Sequence, residues 1–153
     1  RSHRTPPHQR DAIRKGARIM RDISELNLPD DVRYTENHEW ARLNGHTVKV
    51  GISDYAQDQL GGIIYIELPE VGASFDKGKE FGTVESTKAV SELLMPIAGE
   101  ILAINTALEE SPELVNSDPH QEGWMIEVSA DDADALDTLM NKDDYLEMIK
   151  RMD

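Results

Sequence analysis

Cysteine is missing from this chain. Its absence excludes disulfides, thiolate nucleophiles and Cys-based metal sites, so any redox chemistry must come from an attached cofactor. Long apolar runs are missing too, and no stretch approaches the length that spans a bilayer. Basic residues are scarce beside acids, with 16 Lys and Arg against 30 Asp and Glu and a formal net charge of −14. The imbalance is uneven. Residues 1–30 hold seven Lys/Arg and four Asp/Glu, a net of +3, whereas residues 31–153 hold nine and twenty-six, a net of −17. Such an acidic body argues against partners made of nucleic acid or anionic membrane and favours basic patches on other proteins. Otherwise the balance is ordinary: 153 residues, 39% hydrophobic and 30% charged, suit one domain with short appendages.

Residues 1–19 are Arg-rich, contain Pro6-Pro7 and have Asp11 as their one acid. They read as a flexible leader or added extension before a start at Met20, the competing reading being the remnant of an organelle-targeting segment. Residues 20–31 form an N-terminal extension, and the domain proper runs over 32–153. Ile13, Ala17, Ile19 or Met20, and Ile23 recur at roughly helical spacing and predict a short helix within 11–26. From about Tyr34 the apolar period becomes two. Val48, Val50 and Ile52 share one strand face, as do Ile64, Ile66 and Leu68, then Ile101 and Ala103, then Trp124, Ile126 and Val128. Ser53 predicts a capped helix through Ala56 and Leu60, stopped at Gly61. Ser111-Pro112-Glu113 predicts the start of another short helix. Leu136, Leu139, Met140, Leu146 and Ile149 predict one broken or two short amphipathic helices over about 131–152, their apolar stripe serving as core. The pattern is mainly β with minor α, a small barrel or sandwich covered by C-terminal helices.

Self-sufficient catalysis finds no support. The five histidines show no metal-ligand spacing with one another or with a carboxylate. His38 and Glu39 are adjacent on an expected strand and should point to opposite faces, which weakens them as an acid–base pair. No serine stands in a Gly-x-Ser-x-Gly elbow, and Gly61-Gly62 belongs to no phosphate loop. Lys88 is the remaining candidate. It stands among the small residues Ser86, Thr87 and Ala89, with strand-like segments on both sides. A long amine-tipped stem on a hairpin is a suitable anchor for a cofactor joined by an amide bond. By spacing alone, an ordinary solvated lysine is the plainer reading.

Glu85-Ser86-Thr87-Lys88-Ala89 resembles the lipoyl-attachment motif of the glycine cleavage system H protein family, usually Glu-Ser-Val-Lys-Ala. The resemblance continues in family order through Tyr34–Trp40, Val50–Gln57 with Leu60-Gly61, Glu67–Gly72, Pro96–Glu100, Pro112–Asn116, and Asp118-Pro119 with Glu122–Trp124. It covers about residues 32–150. It implies a barrel–sandwich hybrid of the lipoyl and biotinyl carrier kind, with lipoate on Lys88 and Glu85, Ser86, Thr87 and Ala89 as the motif read by a lipoate ligase or lipoyl transferase. It further implies a non-catalytic shuttle. A pyridoxal-phosphate glycine decarboxylase would load an aminomethyl group, an aminomethyltransferase would pass the one-carbon unit to tetrahydrofolate, and dihydrolipoamide dehydrogenase would reoxidise the arm. Glu39 is implied as a cleft residue able to pair with the cargo amine, and Glu92, where Asp is usual, as a second border of the cleft. By themselves these two read as solvated carboxylates, and Trp40 and Trp124 as packing residues.

The chain departs from the family at Thr87 (commonly Val), Asn37 (Ser), Leu94-Met95 (Tyr-Ser) and His120-Gln121. Biotin carriers favour Met-Lys-Met and lipoyl domains of 2-oxo acid dehydrogenases Asp-Lys-Ala, neither of which is present. A lipoyl-relay protein, donating lipoate to other apoproteins, remains an open alternative. A monomer is expected, since one tip must visit several enzymes. The expected compartment is a bacterial cytoplasm, or the mitochondrial matrix in a eukaryote.

Overall fold

The structure, a computed structural model, describes residues 22–132 and 134–152. The leader, Met20 and most of the helix expected over 11–26 lie outside these residues. At the end of that span the chain makes only a single 3-10 turn, Ile23–Glu25.

Among the described residues nine strands form two antiparallel sheets. They are β1 (Arg33–Tyr34), β2 (Glu39–Asn44), β3 (Thr47–Ile52), β4 (Ile63–Glu67), β5 (Ser74–Phe75), β6 (Glu80–Ser86), β7 (Val90–Leu94), β8 (Gly99–Ile104) and β9 (Ile126–Ala130). One sheet runs β1-β2-β3-β9-β8-β5, and the other β4-β6-β7. The α-helices are α1 (Asp54–Leu60), α2 (Ala107–Glu110), α3 (Leu114–Ser117) and α4 (Lys142–Met152). The architecture is the mainly β barrel–sandwich hybrid with C-terminal helices that the sequence predicts.

Local chemistry explains several boundaries. Ser53 Oγ accepts the Ala56 N–H, capping α1, and Gly61 ends it at a positive φ of 82° while donating its N–H to Gln57 O. The β2–β3 hairpin turns through Gly45-His46, with Gly45 at φ 68° supplying the left-handed position. The C-terminal stretch is two pieces, a 3-10 turn at Ala135–Thr138 and α4, whose Tyr145 and Ile149 are buried.

Three expectations are corrected. Ile64, Ile66 and Leu68 do not share the inner face of β4. A register irregularity between Ile63 and Tyr65 buries Ile63 and Ile66 and leaves Ile64 exposed. A similar irregularity between Ile101 and Ala103 breaks the alternation in β8. Finally, Ser111 does not cap a helix with its side chain. It ends α2 by donating its N–H to Ala107 O, and α3 begins only at Leu114.

The core divides in two. The larger cluster fills the space between the sheets with Val50, Phe81, Val84, Leu93, Ile101 and Val128 among its members. The second packs α4 and the entry segment around Tyr34, Trp40, Tyr55 and Tyr145. Trp40 is fully buried, donates its indole N–H to Pro119 O at 3.0 Å, and lies over its strand partner Gly51. A Cβ at Gly51 would fall 2.8–2.9 Å from the indole ring. Gly51→Ala therefore forces a shift in a packed ring and should cost about 1–3 kcal/mol, read as a lowered urea midpoint. An unchanged midpoint would show that Trp40 moves freely, contrary to this packing.

Candidate functional site

Lys88 stands at the exposed tip of the β6–β7 hairpin, in the three-residue loop Thr87–Ala89. Ser86, the last residue of β6, organises that loop from within. Its N–H donates to Ala89 O at 2.8 Å. Its buried hydroxyl oxygen accepts from the Lys88 N–H at 3.3 Å and from the Ala89 N–H at 3.1 Å, while the hydroxyl lies 3.2 Å from Ala89 O. The loop also leans outward on the body, where the Thr87 N–H donates to Gly62 O at 3.0 Å. A side-chain oxygen closing its own loop in this way replaces the Asn-Gly chemistry the sequence lacks here. Glu85 is exposed at the last β6–β7 rung before the tip, opposite Tyr65 on one side and Val90 on the other.

A cleft of about 290 Å³ runs between this small sheet and the His38–Glu39 corner. Its lining includes Glu39, Ile52, Leu60, Val84 and Glu92, so both carboxylates singled out in the sequence border the same space. They do so differently. Glu92 is exposed on β7, across from Thr83. The pKa of Glu80 is raised, first by hydrogen bonding toward Glu92, then by slight desolvation and the nearby charges of Glu92 and Glu67.

Glu39 is 2% exposed. The Thr35 hydroxyl lies 2.6 Å from Oε1, and the Leu94 N–H donates to Oε2 at 3.2 Å. Burial dominates and pushes the carboxyl from an ordinary 4.5 up to about 7, while these hydrogen bonds pull the other way. Glu39 also borders a second cleft of about 580 Å³ on its other side, with Lys77 and Arg151 among the lining residues. The acid thus stands in the wall between two recesses.

His38 fixes the corner. It is the one non-glycine residue at positive φ among those described, at 73°, and its carbonyl accepts the Ser53 N–H. Its Nδ1 lies 2.8 Å from the Tyr145 hydroxyl, which lies 2.7 Å from Ser53 Oγ. Burial lowers the His38 pKa and keeps the ring neutral at pH 7. His38 is therefore a bracket that ties α4 to the site. Tyr145 and Leu94 are participants the sequence reading missed, because their roles arise from contacts 107 and 55 residues away. Among the described residues, no three His, Asp or Glu are grouped to hold a metal ion, and no helix is long and apolar enough to cross a membrane.

Comparison with known proteins gives a consistent result. The family model described as glycine cleavage H-protein matches residues 32–152. The glycine cleavage system H protein of Anaeromyxobacter sp. (strain K) is 47% identical over 128 residues, covering 84% of this chain and 100% of its own length. That of Bacteroides thetaiotaomicron is 48% identical over 120 residues, covering 78% of this chain and 95% of its own. Among solved structures, a glycine cleavage system H protein from Mycobacterium marinum superimposes with a TM-score of 0.74 at 35% identity, covering 80% of this chain and 99% of that one.

Glu39→Gln separates charge from shape. The amide is close in shape to the neutral acid but carries no charge, and its one oxygen can accept from either the Thr35 hydroxyl or the Leu94 N–H. Because burial raises the acid's folded pKa, its contribution to stability is complete below 4.5 and lost as pH climbs to about 7. The variant should therefore gain on the parent between pH 4.5 and 8, by up to about 3 kcal/mol in denaturant titrations. A difference that does not change with pH would refute the raised pKa.

Proposed function

We propose a carrier role for this chain, which belongs to the glycine cleavage H-protein family: it bears lipoate in amide linkage on Lys88 and shuttles an aminomethyl group. In this reading the group is received from a pyridoxal-phosphate glycine decarboxylase and delivered to an aminomethyltransferase that serves tetrahydrofolate. Dihydrolipoamide dehydrogenase then restores the arm, and a lipoate ligase or lipoyl transferase installs it. The chain itself is no enzyme. It works as a monomer in the cytoplasm of a bacterium, or in the mitochondrial matrix of a eukaryote.

The observation that carries this reading is the pairing of an exposed, loop-braced Lys88 with a neighbouring cleft that ends on a buried acid. The fit to lipoate is chemical. Lys88 offers a free primary amine at a tip that an enzyme can enclose, because Ser86, Thr87 and Ala89 are small. When bound, lipoate supplies the dithiolane sulfur chemistry that a cysteine-free chain cannot.

The chain's own residues then have distinct tasks. Ser86 holds the tip in shape, and the apolar walls Ile52, Leu60 and Val84 exclude water from the cleft. Glu39 awaits a cationic amine. At pH 7 it is close to its midpoint, and an approaching ammonium would favour the carboxylate and pair with it in a poorly hydrated place. Glu92, exposed on the rim, adds negative charge at the cleft. Glu85, Thr87 and Ala89 form the exposed surface that the modifying enzyme reads, and Ser86, the buried member of the motif, sets its shape.

A reconstituted system tests the role. Lipoylated chain, mixed with glycine decarboxylase, aminomethyltransferase, tetrahydrofolate and glycine, should release ammonia, whereas Lys88→Arg should release none. Glu39→Gln should retain charging but lose its cargo to water faster, by about tenfold if one charge-assisted hydrogen bond is removed. Lipoylated chain that is inert here, yet donates lipoate to other apoproteins, would replace the shuttle reading with the relay reading.

A further inference from the structure

The geometry points to Asn116 as a positioning residue for the Lys88 tip, acting through the Gly61–Ile63 backbone; this rests on the proposed modification of Lys88. Asn116 lies on α3, 28 positions from Lys88 in sequence, and its side chain makes three hydrogen bonds. Oδ1 accepts the Ile63 N–H at 2.9 Å, and Nδ2 donates to Gly61 O and Gln57 Oε1, each at 2.9 Å. Only one orientation of the amide satisfies a backbone N–H on one side and two oxygens on the other, so the network itself fixes it.

The segment held this way is the one on which the tip rests. Gly62 O, between the two anchored residues, accepts the Thr87 N–H at 3.0 Å, and Ile63 pairs with Ser86 at the first rung of the β4–β6 ladder. Ser86 closes the loop internally, but that closure alone does not set where the loop stands relative to the body. The Thr87–Gly62 bond and the Ile63–Ser86 rung do, and both depend on residues 61–63 staying in place. Glycines at 61 and 62 give the segment little stiffness of its own. Asn116 supplies it from outside.

The support extends farther back. Gln57 Nε2 donates to Asp54 Oδ1 at 2.7 Å, and Asp54 Oδ2 accepts the Asn27 N–H at 2.7 Å. A continuous polar chain therefore runs from the entry segment through the first turns of α1 to the lysine tip. Neither Asn116 nor Gln57 touches Lys88, so their effect reaches it only through the loop.

Amide exchange and ligase kinetics on the full chain test this together. Asn116→Asp keeps an acceptor for Ile63 but sets a carboxylate against the oxygens of Gly61 and Gln57; Asn116→Ala removes all three bonds. In both, exchange at Thr87 should quicken about tenfold or more, and in Asn116→Ala exchange at Ile63 as well, the effect of losing a buried hydrogen bond, while the β2–β3 ladder is unchanged. With lipoate ligase, lipoate and ATP, KM for the carrier should rise about tenfold with kcat within about twofold, since the bond chemistry belongs to the ligase. Unchanged exchange at Thr87 overturns the inference. So does equal quickening across β2–β3, which would make Asn116 a general stabiliser. If neither variant folds, the parent decides: Thr87 should be protected like Ile63 and better than Lys88, and free exchange at Thr87 overturns the inference. A parent chain that no ligase modifies would defeat the carrier reading instead, leaving the exchange result to stand alone.

Discussion

A buried carboxylate joins the two sheets of this protein. Glu39 begins β2 in the six-stranded sheet, and its Oε2 accepts the N–H of Leu94 at the end of β7 in the three-stranded one. The cleft lies along that seam. An acid in this position is unfavourable for folding when ionised, which is why its proton is held to about pH 7. Hydrophobic residues of similar size would close the seam with less strain. In the proposed carrier role the acid would serve a cationic visitor.

Tolerance comes from the corner around Glu39. The turn Thr35–His38 brings the Thr35 hydroxyl to Glu39 twice, at the carboxylate and at the main-chain N–H. His38 accepts a left-handed backbone there and is compensated by Ser53 and Tyr145. Tyr145 in turn stacks face to face on Tyr34, with ring centroids 4.4 Å apart, so α4 is clamped to the entry strand directly behind the acid. Packing, hydrogen bonding and site geometry converge on a few residues drawn from both ends of the domain.

Much of this was legible in the residues. Ser53 and Gly61 bound α1 because capping is chemistry within one turn. The strands at 48–52 and 126–128 follow from strict alternation, and Lys88 falls at a hairpin tip because small residues interrupt two apolar runs. The family motifs then point to Lys88, Glu39 and Glu92. Other features had no local signal. The shift that exposes Ile64 depends on how β6 pairs with β4, and Ser111 serves α2 because of where that helix ends. Glu39 and Trp40 are adjacent yet both buried, since the second sheet and α4 cover the two faces of β2. His120 is a further case. It is 2% exposed, neither ring nitrogen has a hydrogen-bond partner among the described residues, and burial drives its pKa down to about 4. Nothing in its neighbours along the chain foretells that.

The central claim is that Lys88 carries the arm. Its most direct test is intact mass, with peptide mapping, after incubating the chain with lipoate ligase, lipoate and ATP. A single lipoyl increment mapped to Lys88 and absent from Lys88→Arg is the expected result. No increment, with a ligase that modifies a related carrier in parallel, would contradict it and leave Lys88 an ordinary surface lysine.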